Sequence, residues 1–254
     1  MERSESTSLP TPAWRKQRKS TGARQQLSQD LIVDTAIRVL DAEGLDAVSM
    51  RRVAQELDTG PASLYAHVSN KEELLDLMLD RVCEEMRIPA EPDPARWREQ
   101  VKEIAYEIHR VLSEHADIAR VPLGSIPTGA SSLRMNEMML SVMLAGGVPP
   151  RAAAWGAERI YLYVNADAYD GSIHLAKQRA SGMERDEYMA RFLGQVRDFF
   201  ANLPADRFPA TVRNVGDLMS GDGEDRFEFG LEMLVRGIAS YVPANDQAND
   251  QASD

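Results

Sequence analysis

One cysteine, four histidines and 6% aromatic residues leave this 254-residue chain little material for several kinds of chemistry. A single thiol, Cys83, excludes an internal disulfide and agrees with a reducing compartment. It stands among Val82, Glu84 and Glu85, and acidic neighbours raise a thiol's pKa, so it reads as an inert helix residue. The histidines are His67, His109, His115 and His174, and none pair at i, i+4 to grip a metal. There is no Gly-rich phosphate loop, no nucleophile elbow and no His-Glu-x-x-His. The acidic run Asp217–Glu228 lacks glycine at the sixth position that a calcium loop needs. Asp167 and Asp170 read as solvated carboxylates near a helix end. No apolar run approaches bilayer-spanning length, and the N-terminus has no apolar signal core. No stretch alternates strongly enough to predict a sheet. These absences argue against an enzyme and against a membrane protein; no cofactor and no metal are expected, and the expected location is cytoplasmic.

What is present is an ordinary globular composition, 43% hydrophobic and 27% charged, long enough for one large or two modest domains. The net charge of −11 opposes a nucleic-acid partner, but its distribution does not. Residues 1–27 carry Arg3, Arg15, Lys16, Arg18, Lys19 and Arg24 against Glu2 and Glu5, a local net of +4. A local positive field serves phosphate contacts, while acid elsewhere weakens non-specific binding. Residues 1–27, rich in Ser, Thr, Pro and basic side chains, are expected to be a disordered basic arm. Its Trp14–Lys19 run reads either as a minor-groove arm or as a solvated tail. Residues 243–254 repeat Ala-Asn-Asp-Gln and are expected to be a disordered acidic tail.

The stretch Ser49–Lys71 organises the rest. Ser49 is an N-cap candidate, and Met50, Val53, Ala54 and Leu57 form one apolar stripe of a two-turn helix. Asp58-Thr59-Gly60 breaks it, and Pro61 suits the first position of a second helix. With Leu64 and Val68 inward, Ala62, Ser63 and Ala66 point outward and Tyr65 and His67 lie on the flanks. Small side chains let a backbone enter a major groove, and flanking polar groups reach phosphates. Ser69-Asn70-Lys71-Glu72 reads as a capping box opening a further helix. Lys71 there opposes the helix dipole but suits a phosphate, which meets amide N–H groups and an ammonium together.

At these residues the chain resembles the TetR family of bacterial transcriptional regulators. The matching runs are Ser49-Met50-Arg51-Arg52-Val53-Ala54, Leu64-Tyr65-Ala66-His67-Val68 and Lys71-Glu72-Glu73-Leu74-Leu75. The likeness covers about Ser28–Leu79; beyond it the likeness is architectural. Asp58 departs from the family, which usually has glycine there, so the turn is expected to carry some strain. The resemblance implies an all-α chain: a helix-turn-helix DNA-binding domain at 28–73, then a helical ligand-binding and dimerisation domain at 74–242. It implies double-stranded operator DNA, a small-molecule effector and a second copy of the chain as partners. Base-edge contacts are expected from Arg51, Ala62 and Ser63, and phosphate contacts from Ser49, Tyr65, His67 and Lys71.

Around that stretch, Ser28 caps a helix running to about Glu43, with Val33, Ala36, Ile37 and Leu40 inward and Gly44 at its end. A helix from Lys71 to about Arg87 is expected to join head to body through Leu75, Met78, Leu79, Val82 and Met86. After Pro89–Pro94, a helix capped by Asp93 runs to about His115 on Trp97, Val101, Ile104, Ile108 and Leu112. Further helices are expected at 131–145, 151–180 (with Gly171 a bend), 185–202 and 224–241, and 203–223 is expected to be mostly loop. In the family the last long helices of two subunits form a four-helix interface, here 151–180 and 224–241. One short recognition helix reads few bases, and two-fold pairing on half-sites about 34–36 Å apart supplies the rest.

Met135, Met138 and Met139 at helical spacing read as plain core or as the wall of an adaptable pocket. Tyr106, His109, Trp155, Tyr161, Tyr163 and Phe192 are the candidate aromatic walls and polar handles of that pocket. The resulting expectation is a homodimeric repressor released from a palindromic operator by a small apolar or aromatic ligand. A ligand-dependent activator of the same fold stays open, because the sign of regulation depends on operator position. An architectural DNA binder would need broad affinity, which the acidic body opposes.

Overall fold

The computed structural model describes residues 27–123 and 128–243, and among them every regular element is a helix. The expected basic arm up to residue 26 and the acidic tail from 244 lie outside the described residues.

Helix α1 (Gln29–Glu43) begins where Ser28 Oγ accepts the N–H of Leu31 at 3.2 Å and ends at Gly44, whose φ of 84° suits a residue without Cβ. It buries Ile32, Val33, Ala36, Val39 and Leu40, while Ile37 is half-buried. A 3₁₀ turn (Leu45–Ala47) leads to α2 (Met50–Glu56). Ser49 caps α2, accepting the N–H of Arg52 at 3.1 Å, a cap of about 1 kcal/mol. Asp58 takes a φ of 49° in the turn to α3 (Pro61–Leu64), a left-handed conformation that Asp tolerates better than most residues.

Helix α4 (Lys71–Cys83) starts differently from the expected box. Asn70, not Ser69, is the N-cap, accepting the N–H of Glu73 at 2.8 Å, and the Glu73 carboxylate reaches back to the N–H of Ser69. The helix stops at Cys83 rather than near Arg87. Leu74, Met78, Leu79 and Val82 are its buried face, with Leu75 only half-buried. Helix α4 packs on α1 and on the body, so one apolar core runs through both. Each such side chain fully buried contributes about 1.5–3 kcal/mol.

The body is built on α5 (Trp97–Glu114), α6 (Ala130–Ala145), α7 (Pro150–Ser181) and α11 (Gly223–Ala239), with α5 packed against the other three. Helix α5 starts three residues later than expected: Asp93 caps only a turn, accepting the N–H of Ala95. Its predicted inward set, Trp97, Val101, Ile104, Ile108 and Leu112, is buried. A 3₁₀ turn (Ile118–Arg120) follows α5. Helix α7 runs unbroken through Gly171, about 48 Å at 1.5 Å per residue. Where it crosses α11 the helices touch closely: a Cβ on Gly156 would lie 2.7 Å from Ile238 Cδ1.

The buried residues of α7 end at Ala168, and α8 (Arg185–Ala201), α9 (Pro209–Arg213) and α10 (Val215–Leu218) have none. The apolar positions of α8 at Met189, Phe192, Leu193 and Val196 are only half-buried and Phe199 is exposed. The segment expected to be loop thus holds two short helices, α9 opened by Pro209. Helix α11 begins with a reciprocal capping box between Asp222 and Asp225.

Candidate functional site

Helix α3 is one turn long and is held from below by two side chains. Leu64 and Val68 are fully buried, with α3 packed on α2, which leaves the small residues Ala62, Ser63 and Ala66 exposed. Tyr65, 53% exposed, and His67, also exposed, flank it. The turn after α3 closes through Val68 N–H to Leu64 O at 3.0 Å. Gln29 at the start of α1 then donates its side-chain N–H to His67 O at 3.1 Å, bracing the turn from outside. This brace spans 38 residues and leaves no periodic trace in the sequence.

The two arginines of α2 have different surroundings. Arg52 is gripped by Glu43 at 2.6 Å and by Glu56 at 2.9 Å, which raises its pKa further and lowers that of Glu43 through the same hydrogen bond. Its task is to tie α2 to the end of α1. Arg51 beside it is exposed. Ser49 spends its oxygen on the cap while its hydroxyl proton is not used by that bond. Lys71 is exposed in the first turn of α4, where the leading amide N–H groups lack intrahelical acceptors. Arg51 on α2, Ser63 on α3, Tyr65 and His67 in the turn that follows it and Lys71 at the start of α4 are each exposed.

Helix α4 is also joined to the body by a polar contact. Asp80 Oδ1 accepts the N–H groups of Ser131 and Ser132, both at 2.9 Å, so a carboxylate on α4 caps α6. A Cβ on Gly129 would collide with that carboxylate. One turn on, Ser132 Oγ donates to Cys83 Sγ at 3.5 Å, and burial pushes the Cys83 thiol pKa up.

In the body the candidate pocket residues divide into groups. Tyr106, His109 and Tyr163 gather round the buried ring of Phe227 from α11, with centroids at 5.4, 4.3 and 5.5 Å. His109 Nε2 lies 2.9 Å from Asp167 Oδ2, and Tyr163 donates its hydroxyl to Phe227 O at 2.9 Å. Burial raises the phenol pKa of Tyr106 and Tyr163. Met135 and Met139 are buried on α6 and Met138 is half-buried. Tyr161 points inward near Cys83, and its hydroxyl is buried with no hydrogen-bond partner among the described residues; burial raises its pKa. Trp155 and Phe192 lie elsewhere. Trp155 is 62% exposed with Arg151 over its ring, and Phe192 packs on His174 and Tyr188 where α7 meets α8. Phe227 and Asp167 complete this group; Asp167 was legible only as a solvated acid.

Among the described residues, no cluster of His, Cys, Asp and Glu can hold a metal, and no helix is long and apolar enough to cross a membrane.

Known proteins resemble the chain over nearly its whole length. Residues 32–78 match the family model described as "Bacterial regulatory proteins, tetR family", and residues 89–242 match "Tetracyclin repressor-like, C-terminal domain". The repressor DrrR1 of Streptomyces coeruleorubidus is 31% identical over 89% of this chain and 82% of its own length. The class E tetracycline repressor protein of Escherichia coli is 32% identical over 85% of this chain and 93% of its own. The structure of ActR from Streptomyces coelicolor with actinorhodin matches with a TM-score of 0.75 and 41% identity, covering 85% of this chain and 96% of that one.

Proposed function

Because the chain belongs to the TetR family of bacterial transcriptional regulators, we propose that it acts as a dimeric repressor that leaves a palindromic operator when a small apolar or aromatic molecule enters its body. The observation that carries this reading is the surface of α3, where Ala62, Ser63 and Ala66 are exposed between Tyr65 and His67. Residues 28–73 form the reading head and 74–242 the body. Arg51, Ala62 and Ser63 touch base edges; Ser49, Tyr65, His67 and Lys71 hold phosphates, Lys71 together with the amide groups that open α4. The protein works in the cytoplasm, and its chemistry is binding rather than catalysis.

Pairing of two copies is supported by the outer faces of α7 and α11. Trp155 and Leu162 on α7, with Phe229 at 69% and Met233 at 58% on α11, are exposed apolar residues at helical spacing. Several large apolar side chains left exposed on two neighbouring helices are what pairing with a second copy would cover. The effector reading draws support from Tyr161, a buried donor awaiting an acceptor, and from Met135, Met138 and Met139 beside α7. Moving the dimer from mostly bound to mostly released requires about 5.5 kcal/mol of preference for the released form.

The test is direct. The full chain selects its operator from random duplex DNA, and light scattering gives its mass. Actinorhodin, which ActR holds, is the first probe in a melting-shift screen and then in release of the bound DNA. A selected palindrome, a dimer and release by a binding molecule support the reading. A monomer at micromolar concentration, or no selected sequence, contradicts it.

A further inference from the structure

The segment between α5 and α6 grips the back of the reading head with polar contacts that apolar packing does not require. Asp117 Oδ1 accepts the backbone N–H of Leu45 at 2.7 Å, reaching the turn that follows α1. Its Oδ2 accepts from Arg120 at 2.9 Å, and the same Arg120 nitrogen donates to Asp46 Oδ1 at 3.0 Å. His115 stands between two helices, its Nδ1 3.2 Å from Asp41 of α1 and its Nε2 3.2 Å from Glu85 just past α4. Between His115 and Asp117, Ala116 takes a φ of 38°, which an alanine seldom adopts and which lets both neighbours face the head. The next two residues, Ile118 and Ala119, are fully buried in the body. The segment is therefore anchored on one side and holds the head on the other.

We propose that Asp117, Arg120 and His115 are positioning residues that fix the tilt of the head on the body and so set the half-site spacing the dimer accepts. The inference rests on the reading above, that two heads occupy two half-sites. The apolar core shared by head and body is non-directional, and sliding along it costs little orientation. A hydrogen bond to a backbone N–H and a carboxylate shared with a guanidinium are directional. One base pair adds about 3.4 Å to a spacing of about 34–36 Å and turns one half-site about 34° relative to the other, a change that the heads meet only by tilting and turning on the body. A locked tilt refuses it.

Two measurements test this. The first needs no DNA. Gln55→Cys on α2 and Glu137→Cys on α6, both exposed positions, carry spin labels in one chain of the dimer, while the buried Cys83 stays in place. The head-to-body distance distribution is narrow in the parent. Asp117→Ala broadens it, and Asp117→Asn, which still accepts the Leu45 N–H, restores part of the narrowing. An unchanged width in Asp117→Ala overturns the proposal. The second uses the selected operator and a version one base pair longer. Asp117→Ala and Arg120→Ala lower the discrimination between them about tenfold while melting temperature moves little. Equal weakening on both spacings, with discrimination intact, overturns the positioning role. If the parent selects no operator, the proposed function fails, and the distance measurement still decides the latch.

Discussion

Arg51 and Arg52 are adjacent in the sequence and opposite in assignment. Arg52 is spent on Glu43 and Glu56, and Arg51 is exposed with no ion pair among the described residues. Arg51→Ala is expected to cost about 1–3 kcal/mol on the operator and to relax preference at one position, whereas Lys71→Ala weakens all sequences alike. Gel shifts on operator and random DNA check both; equal losses on the two DNAs for Arg51→Ala would remove it from base reading. Glu107 gives a prediction in pH. Hydrogen bonds from Arg110, and then the N–H of Arg87, hold its carboxyl below the ordinary range. A depressed carboxyl stabilises the folded chain above its unfolded value and loses that contribution as pH falls through the folded one. The melting-temperature gap between the parent and Glu107→Gln is therefore present at neutral pH and narrows below about pH 4.3. The outward face of α3 was readable from the sequence because Leu64 and Val68 dictate it. The Gln29 brace and the Asp117 contact were not, since their partners lie 38 and 72 residues away and follow no period.

Most long helices were legible nearly to the residue: α1, α2, α6, α7, α8 and α11 lie within a residue or two of where spacing and caps place them. The misses have local causes. Asn70 outcompetes Ser69 as the cap of α4, and Asp93 stabilises a turn that delays α5 to Trp97. Pro209, taken as a loop signal, instead opens a short helix, as proline at a first position does. The cap of α6 is borrowed from α4, and no local signal announces it. Gly129→Ala places a methyl on the Asp80 carboxylate and is expected to cost about 1–3 kcal/mol in urea unfolding. If the cap is the cause, adding Asp80→Ala to Gly129→Ala costs much less than Asp80→Ala does alone, and full additivity would refute that cause.

At the scale of the molecule, the acidic sum conceals a separation of charge. The six basic residues before residue 27 precede a remainder that carries the acidic excess. Deleting residues 1–24 is expected to flatten the dependence of operator affinity on salt by about 0.9 log unit for each phosphate that the arm neutralises. An unchanged slope would exclude the arm from the interface. The helix-turn-helix spacing was specific enough to read from the sequence, and the Pro89–Pro94 run interrupts the helical pattern after it. Which apolar side chains of α7 and α11 stay exposed was not legible, because a stripe left open reads like one facing the interior.

The core leaves α8, α9 and α10 uncovered but returns for α11, whose Phe227, Leu231, Val235 and Ile238 are buried against the body. A protease cutting near Pro204 should therefore act early, yet the severed C-terminal piece has no reason to depart. The nicked product should run as two bands on a denaturing gel and elute as one species from a sizing column, each half clasping the other without a peptide bond between them.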